Sequence, residues 1–176
     1  MKRRFAELSV EDVRALITPS SIIVLPVGAV EAHGPHLPLS TDLVIASAAV
    51  DALMEQAGER LDLWALPTLA VTKSNEHAWA PGTLWLSAST MLAVLEDLGR
   101  SLATTAAKTL VFVNGHGGNS ALLQVASRDL RLATVSKRSS PIHSPTRVSA
   151  TRTVWPSTVA TMRRRSSCIF APSSWT

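Results

Sequence analysis

The run Ser21-Ile-Ile-Val-Leu-Pro-Val-Gly28 constrains the fold more than any other stretch of the chain. It is apolar without alternation, rich in β-branched residues and closed by glycine. A strand with one face in water reads apolar and polar by turns, so an unbroken run predicts a strand buried on both faces, as in a parallel sheet covered by helices. The flanking sequence agrees. Before the run, Ser9-Val-Glu-Asp12 has capping-box spacing, with Asp where Glu or Gln is usual, and Val13, Leu16 and Ile17 give a short helix its apolar side before Pro19. After it, Leu43, Ile45, Ala46, Ala49, Val50, Leu53 and Met54 recur at helical spacing up to about Gln56, with Gly58 as a stop and Asp42 at the helix N-terminus.

The alternation continues. Leu61 to Val71 reads as a second strand, carrying into the polar segment Thr72-Lys-Ser-Asn-Glu76-His77 and a turn at Ala80-Pro-Gly-Thr83; Leu84-Trp85-Leu86 is too short to assign. Ser87 or Ser89 can cap a helix to about Ala103, with Met91, Leu92, Leu95 and Leu98 on one side. Thr109 to Val113 is a third strand, Asn114-Gly-His116-Gly-Gly-Asn119 the loop after it, and Ser120 to Ala133 a helix capped by Asn119. Strands alternating with helices predict an α/β fold with a mostly parallel sheet. Ligands bind such sheets beyond the carboxyl ends of the strands, where both His-bearing loops fall. Trp64, Trp79 and Trp85 are expected in the core rather than as a substrate platform.

Between the first strand and its helix, Glu31-Ala-His33-Gly-Pro-His36-Leu-Pro-Leu-Ser-Thr-Asp42 packs two carboxylates and two imidazoles into twelve residues. Imidazole suits zinc, iron and manganese, carboxylate suits harder ions, and a mixed set without thiolate points to a catalytic metal. Glu31 and His33 stand two apart and share a face of an extended segment, Asp42 arrives at a helix start, and His116 comes from the end of another strand. These four can converge on one divalent ion, or on two if Asp42 bridges. An ion there would polarise a carbonyl and lower the pKa of water, which makes amide hydrolysis feasible at neutral pH. His36 reads equally as a partner supporting a ligand or as a plain loop residue, and Glu76 and His77 either line the pocket or satisfy loop backbone. Gly117 and Gly118 either offer backbone N–H groups to a developing oxyanion or form a turn needing positive φ.

At 176 residues the chain has the length of one domain. A single cysteine, Cys168, excludes an intrachain disulfide and a multi-cysteine zinc site. Acidic residues follow Met-Lys-Arg-Arg-Phe where a signal peptide would be apolar, and no run is long enough to span a bilayer, so a cytoplasmic protein without membrane partners is expected. The net charge of +4 is uneven, because all 13 acidic residues lie at or before Asp129. From Thr134 the chain is mainly Ser, Thr, Arg, Pro and Ala without helical or strand period. The expected organisation is thus an α/β domain over residues 1–133 and a basic, low-complexity, disordered tail over 134–176. A nucleic-acid-binding tail on a non-catalytic protein is the competing reading.

Three blocks carry a resemblance: Leu25-Pro-Val-Gly-Ala-Val-Glu31-Ala-His33-Gly-Pro-His36-Leu-Pro-Leu-Ser-Thr-Asp42, Glu76-His77 with Pro81-Gly82-Thr83, and Phe112-Val-Asn-Gly-His116-Gly-Gly-Asn119. In order and spacing they closely resemble the creatininase (creatinine amidohydrolase) family over about residues 20–133. The resemblance implies a three-layer α/β/α sandwich, incomplete here at the C-terminus. It also implies a metal-dependent amidohydrolase cleaving a cyclic amide or formamide C–N bond of a small-molecule substrate, with one or two Zn, Mn or Fe ions per subunit. A homo-oligomer, commonly a hexamer, goes with it, nucleic acid does not, and metal ligation falls on Glu31, His33, Asp42 and His116. Two departures matter. Creatininases proper carry a glutamate two residues after the loop histidine, where this chain has Gly118, which points towards the broader family, including formamide hydrolases and the peptide-processing enzyme of mycofactocin biosynthesis. The family's later block H-[AG]-G-x-x-E-T-S, whose His and Glu serve catalysis and metal binding, is missing. Joining the third base of each codon to the first two of the next, however, permits Trp155 to Thr176 to read A-I-H-G-G-D-D-E-T-S-I-x-M-H-L-R-P-E-L-V-D, which has the spacing of that block. The expectation is a frameshift shortly after Ala133 and an impaired enzyme whose general acid or base lies in the lost block.

Overall fold

The computed structural model describes residues 3–136, so the tail expected from 134 onward falls, but for its first three positions, outside the described residues. The first helix, α1 (Val10–Leu16), starts on the predicted capping box: the Ser9 hydroxyl accepts from the Asp12 N–H, and the Asp12 carboxylate accepts from the Ser9 N–H at 3.1 Å. Strand β1 (Ile22–Val27) leads through the His-bearing loop into α2 (Thr41–Ala57), and β2 (Leu63–Ala65) follows. The second strand is much shorter than Leu61–Val71. Beyond Ala65 the regular ladder stops: Leu66 and Leu69 still donate to the Val24 and Pro26 carbonyls of β1, at 2.8 and 2.9 Å, and a bridge joins Val27 to Leu69, but no continuous strand forms. A 3-10 turn (Asn75–His77), α3 (Ala88–Leu102), β3 (Thr109–Asn114), a second such turn (Gly117–Asn119) and α4 (Ser120–Ser136) complete the order. Of the two candidate caps of α3, Ser87 is the one used, accepting from the Thr90 N–H at 3.1 Å.

The three strands pair in the order β2-β1-β3, all parallel, with Ile22 opposite Leu63 on one side and Thr109 on the other. The central strand is the unbroken apolar run, and its burial follows from period two. Ile23, Leu25 and Val27 face one cluster with Trp64, Met91, Leu95, Leu110, Phe112 and Leu123, while Val24 faces the other with Val50, Ala57, Leu63, Ala65 and Val113. Helices α3 and α4 therefore cover one face and α2 the other, giving the α/β/α layering. Fully burying side chains such as Ile23, Phe112 or Leu95 contributes about 1.5–3 kcal/mol each. No helix among the described residues is long and apolar enough to cross a membrane.

Two glycines bring α2 onto the sheet end. A Cβ at Gly28, just past β1, would lie 2.6 Å from Leu43 Cα, and one at Gly115, just past β3, would lie 2.7 Å from the Asp42 carbonyl oxygen. Any side chain at either position would push the start of α2 away, and Asp42 with it. Of the three tryptophans expected inside, only Trp64 is buried; Trp79 is 78% and Trp85 49% exposed. Both sit on the 71–86 segment, which among the described residues carries no helix or strand longer than a 3-10 turn and lies outside the sheet and its covering helices.

Candidate metal centre

The loop after β1, the first turn of α2, the loop after β3 and the 72–77 segment meet at the carboxyl end of the sheet. They are tied together by backbone: Glu31 N–H donates to the Leu39 carbonyl at 2.9 Å, Leu84 N–H to Val30 at 2.9 Å, and Ala32 N–H to Thr83 Oγ1 at 3.2 Å. Gly82 turns with φ +89, in the left-handed region that glycine occupies without strain. The three blocks read from the sequence are thus the three walls of one site.

At its centre His116 Nδ1 lies 3.0 Å from Glu31 Oε1 and 2.9 Å from Asp42 Oδ2. All three side chains are buried, at 4%, 4% and 8% exposure for His116, Glu31 and Asp42. Their ligand atoms all lie within 4.8 Å of one another, the separation that one ion can span. His33 is half-buried beside them, its Nε2 3.0 Å from the other Asp42 oxygen and its Nδ1 3.1 Å from the Glu31 carbonyl. Three of the four expected ligands form one set, and the fourth reaches it through Asp42.

The other edge of the His116 ring is held as firmly. Nε2 lies 3.0 Å from the Lys73 carbonyl, 3.4 Å from Ser74 Oγ and 3.7 Å from Glu76 Oε1, while Lys73 Nζ donates to Glu76 Oε2 at 2.6 Å. A carbonyl can only accept, so the proton belongs on Nε2 and the Nδ1 lone pair faces two carboxylate oxygens. That geometry calls for positive charge between them, either a proton or a metal ion. Burial works against ionised His116, yet the Asp42 hydrogen bond, the Glu31 charge and the Lys73 carbonyl together raise its pKa above the ordinary value. Burial likewise opposes ionised Asp42, and the His116 hydrogen bond with the His33 charge overcomes it, leaving the carboxyl below its usual range. Glu76 is also lowered, desolvation being outweighed chiefly by Lys73. Glu31 Oε2 is buried and has no hydrogen-bond partner. An orphaned carboxylate oxygen beside a lone-pair nitrogen and a second carboxylate fits a divalent cation by donor chemistry, and a backbone carbonyl on the far ring nitrogen is the usual support of a metal-ligating histidine.

Gly117 and Gly118 do not need positive φ, which among glycines is confined to Gly34 and Gly82. Their roles differ. A Cβ on Gly118 would meet Glu76 Oε1, lie 2.5 Å from His116 Nε2 and 2.9 Å from the Lys73 oxygen, whereas one on Gly117 meets nothing within 4 Å. Gly118 is bare so that Lys73 and Glu76 can reach the histidine; Gly117 faces open space. Glu76 is joined to the centre, His77 is half-buried one residue further on with its Nδ1 unpartnered, and His36 is exposed. Asn119 does not cap α4: its amide donates to the Gly28 carbonyl at 3.1 Å, shared with Thr72 Oγ1 at 2.6 Å. Sequence reading missed Asn114, whose amide brackets His116 by donating to its carbonyl at 2.8 Å and accepting from its N–H at 3.2 Å. An Asn two residues before a loop His was the available signal, since Asx side chains commonly fold onto nearby backbone.

Comparison with known proteins places this geometry among relatives. The creatininase family model, described as creatinine amidohydrolase, matches residues 6–168, a span that runs well into the stretch read above as out of frame. The mycofactocin precursor peptide peptidase of Mycolicibacterium smegmatis (strain ATCC 700084 / mc(2)155) is 40% identical over 120 residues, 67% of this chain and 48% of that protein. The creatinine amidohydrolase of Pseudomonas putida is 32% identical over 121 residues, 64% of this chain and 45% of that protein. A solved structure named "Creatininase Mn" has a TM-score of 0.70 at 26% identity, over 93% of this chain and 63% of that one. The chain spans about half the length of the curated relatives it matches.

Proposed function

The chain belongs to the creatininase (creatinine amidohydrolase) family, and on that premise we propose that it is a metal-dependent hydrolase of an amide C–N bond in a small molecule, a cyclic amide or formamide. The observation that carries this is the convergence of Glu31 Oε1 and Asp42 Oδ2 on His116 Nδ1, with Glu31 Oε2 left buried and unpartnered. Glu31, Asp42 and His116, with His33 on the far oxygen of Asp42, would hold a zinc, manganese or iron ion. Such an ion supplies a Lewis acid for the carbonyl and lowers the pKa of water. The chain's own part is to orient and to move protons. Asn114 and the Lys73 carbonyl fix His116, Glu31 Oε2 would be the acceptor for a proton at the centre, and the Gly117 and Gly118 N–H groups would be the donors offered to the substrate's carbonyl oxygen. Glu76 and His77 line the approach. A homo-oligomer in the cytoplasm belongs to the same proposal.

A second reading, removal of residues from a peptide, is favoured by the 40% identity to a mycofactocin precursor peptide peptidase. One assay set separates the two. The full chain, loaded with Zn²⁺ or Mn²⁺, is offered creatinine, N-formyl amines and short peptides, and product is measured by mass spectrometry beside Glu31→Gln. Turnover of the small amides with loss in Glu31→Gln supports the first reading, and turnover confined to peptides supports the second. A chain that retains no metal and cleaves none of them sinks both.

A further inference from the structure

The carbonyl of Gly28, just past β1, is a post to which two walls of the centre are tied. Thr72 Oγ1 donates to it at 2.6 Å and Asn119 Nδ2 at 3.1 Å, so both of its lone pairs are used. Thr72 and Asn119 are each 0% exposed. Thr72 is followed at once by Lys73, whose carbonyl lies 3.0 Å from His116 Nε2. Asn119 closes the turn that starts after His116, and its backbone N–H donates to the His116 carbonyl at 3.3 Å. Its side-chain amide also donates, at 3.4 Å, to Asn114 Oδ1, the oxygen that accepts from the His116 N–H at 3.2 Å. Both partners of the contact between His116 and the Lys73 carbonyl are therefore fixed, within one to three residues, to the same carbonyl. Polarity allows one arrangement only. The Gly28 carbonyl accepts, and Asn114 Oδ1 already accepts from backbone, so Asn119 turns Nδ2 to both and leaves its own Oδ1 buried without a partner. Asn119 acts through its two N–H donors and not through its oxygen.

We infer that Thr72 and Asn119 are positioning residues, which clamp the Gly28 carbonyl between them and so set the Lys73 carbonyl against His116 Nε2, aiming Nδ1 at Glu31 and Asp42. The inference rests on the metal centre of the proposed function and adds what holds its histidine. Gly28 is also where α2 comes closest to the sheet end, its Cβ position 2.6 Å from Leu43 Cα, so the clamp shares its post with the helix that carries Asp42. Removing either donor frees one wall from the post and lets the 3.0 Å contact lengthen.

The test sets metal affinity against stability in the full chain, by Zn²⁺ titration calorimetry and by urea unfolding of the metal-free protein, with circular dichroism to confirm that each variant is folded. Thr72→Ser keeps the hydroxyl and loses a buried methyl, whereas Thr72→Val keeps the shape and loses the hydroxyl. Thr72→Ser should unfold at lower urea yet bind Zn²⁺ with Kd within about threefold of wild type, while Thr72→Val binds roughly tenfold more weakly, the scale of losing a ligand's supporting partner. Asn119→Asp keeps the oxygen and loses both donors, so it should bind at least as weakly as Asn119→Leu. Leu95→Ala, a cut in the core under α3, controls for lost stability and should keep the wild-type Kd. The Thr72 pair decides the matter by itself should the Asn119 variants not fold. Equal Kd in Thr72→Ser and Thr72→Val, or a Kd in Leu95→Ala as weak as in Thr72→Val, reduces the clamp to general packing and overturns the inference while leaving the metal centre standing. A wild type that binds no Zn²⁺ overturns the metal reading itself, and this inference with it.

Discussion

Gly118→Ala is the sharpest perturbation of the centre, because it adds one carbon where the structure has no room and touches no proposed ligand atom by deletion. The new Cβ would meet Glu76 Oε1, His116 Nε2 at 2.5 Å and the Lys73 oxygen at 2.9 Å. Glu76 is a half-exposed side chain and can swing away. His116 and the Lys73 carbonyl have less freedom, one held on both ring edges and the other part of the backbone. To restore ordinary contact the ring and the carbonyl must separate from the new carbon by about 0.5–1 Å. A shift of that size is enough to break the 3.0 Å contact between Nε2 and the Lys73 oxygen and to misalign Nδ1 against Glu31 and Asp42. Losing such support weakens metal binding by about 10–100-fold, and overpacking adds about 1–3 kcal/mol of destabilisation. Gly117→Ala is the internal control, since its Cβ meets nothing within 4 Å and its φ is not positive. Calorimetric Zn²⁺ titration and urea unfolding of both variants beside the wild type measure the two effects. Equal metal affinity in Gly118→Ala and Gly117→Ala, within about twofold, would refute the claim that Gly118 exists to let Lys73 support His116.

Because an ion at the proposed centre would join Glu31 and Asp42 to the distant His116 only in the folded chain, Zn²⁺ at about 100 times Kd should stabilise it by roughly 2.7 kcal/mol; a Tm unchanged by metal and by chelator would contradict this. Ser87→Ala removes the hydroxyl that accepts from Thr90 N–H and should cost about 1 kcal/mol by urea unfolding. The Asp12 pKa is lowered from 3.8 by its hydrogen bonds to the Ser9 side chain and backbone. Its contribution to α1 is therefore full above 3.8 and lost as pH falls through the lower folded-state value, and Asp12→Asn should abolish that pH dependence in a circular-dichroism titration. If residues after about Ala133 are out of frame, a frame-restored gene should encode the H-x-G-x-x-E-T-S-type block and yield a faster hydrolase; resequencing that returns the same frame with no displaced base removes the idea.

Much of this was legible without coordinates wherever local pattern and burial coincide. The unbroken apolar run announced a central parallel strand, the Ser9–Asp12 spacing announced the cap of α1, and Glu31 and His33 after one strand, Asp42 at a helix start and His116 after another strand announced a shared centre. Where a long-range contact decides, local pattern misled. Leu61–Val71 looked like a strand throughout, but after Ala65 the chain is diverted to bring the Lys73 carbonyl to His116. Trp79 and Trp85 looked like core residues, but the segment that carries them covers the site from outside. Asn119 looked like a helix cap, and its amide instead goes to Gly28, 91 positions away in the chain.

The sequence by itself determined the fold class and the donor chemistry of this protein, because period, apolar content and residue type are properties of the chain. It could not decide which nitrogen of His116 faces the carboxylates, which oxygen of Asp42 faces which histidine, or why residue 118 carries no side chain. Those depend on atoms that meet only after three loops and a helix start close on the same sheet end, and distances of about 3 Å between residues 85 positions apart are fixed by packing. The tertiary structure therefore brought Glu31, Asp42 and His116 within reach of one another and set His33 Nε2 3.0 Å from the other oxygen of Asp42.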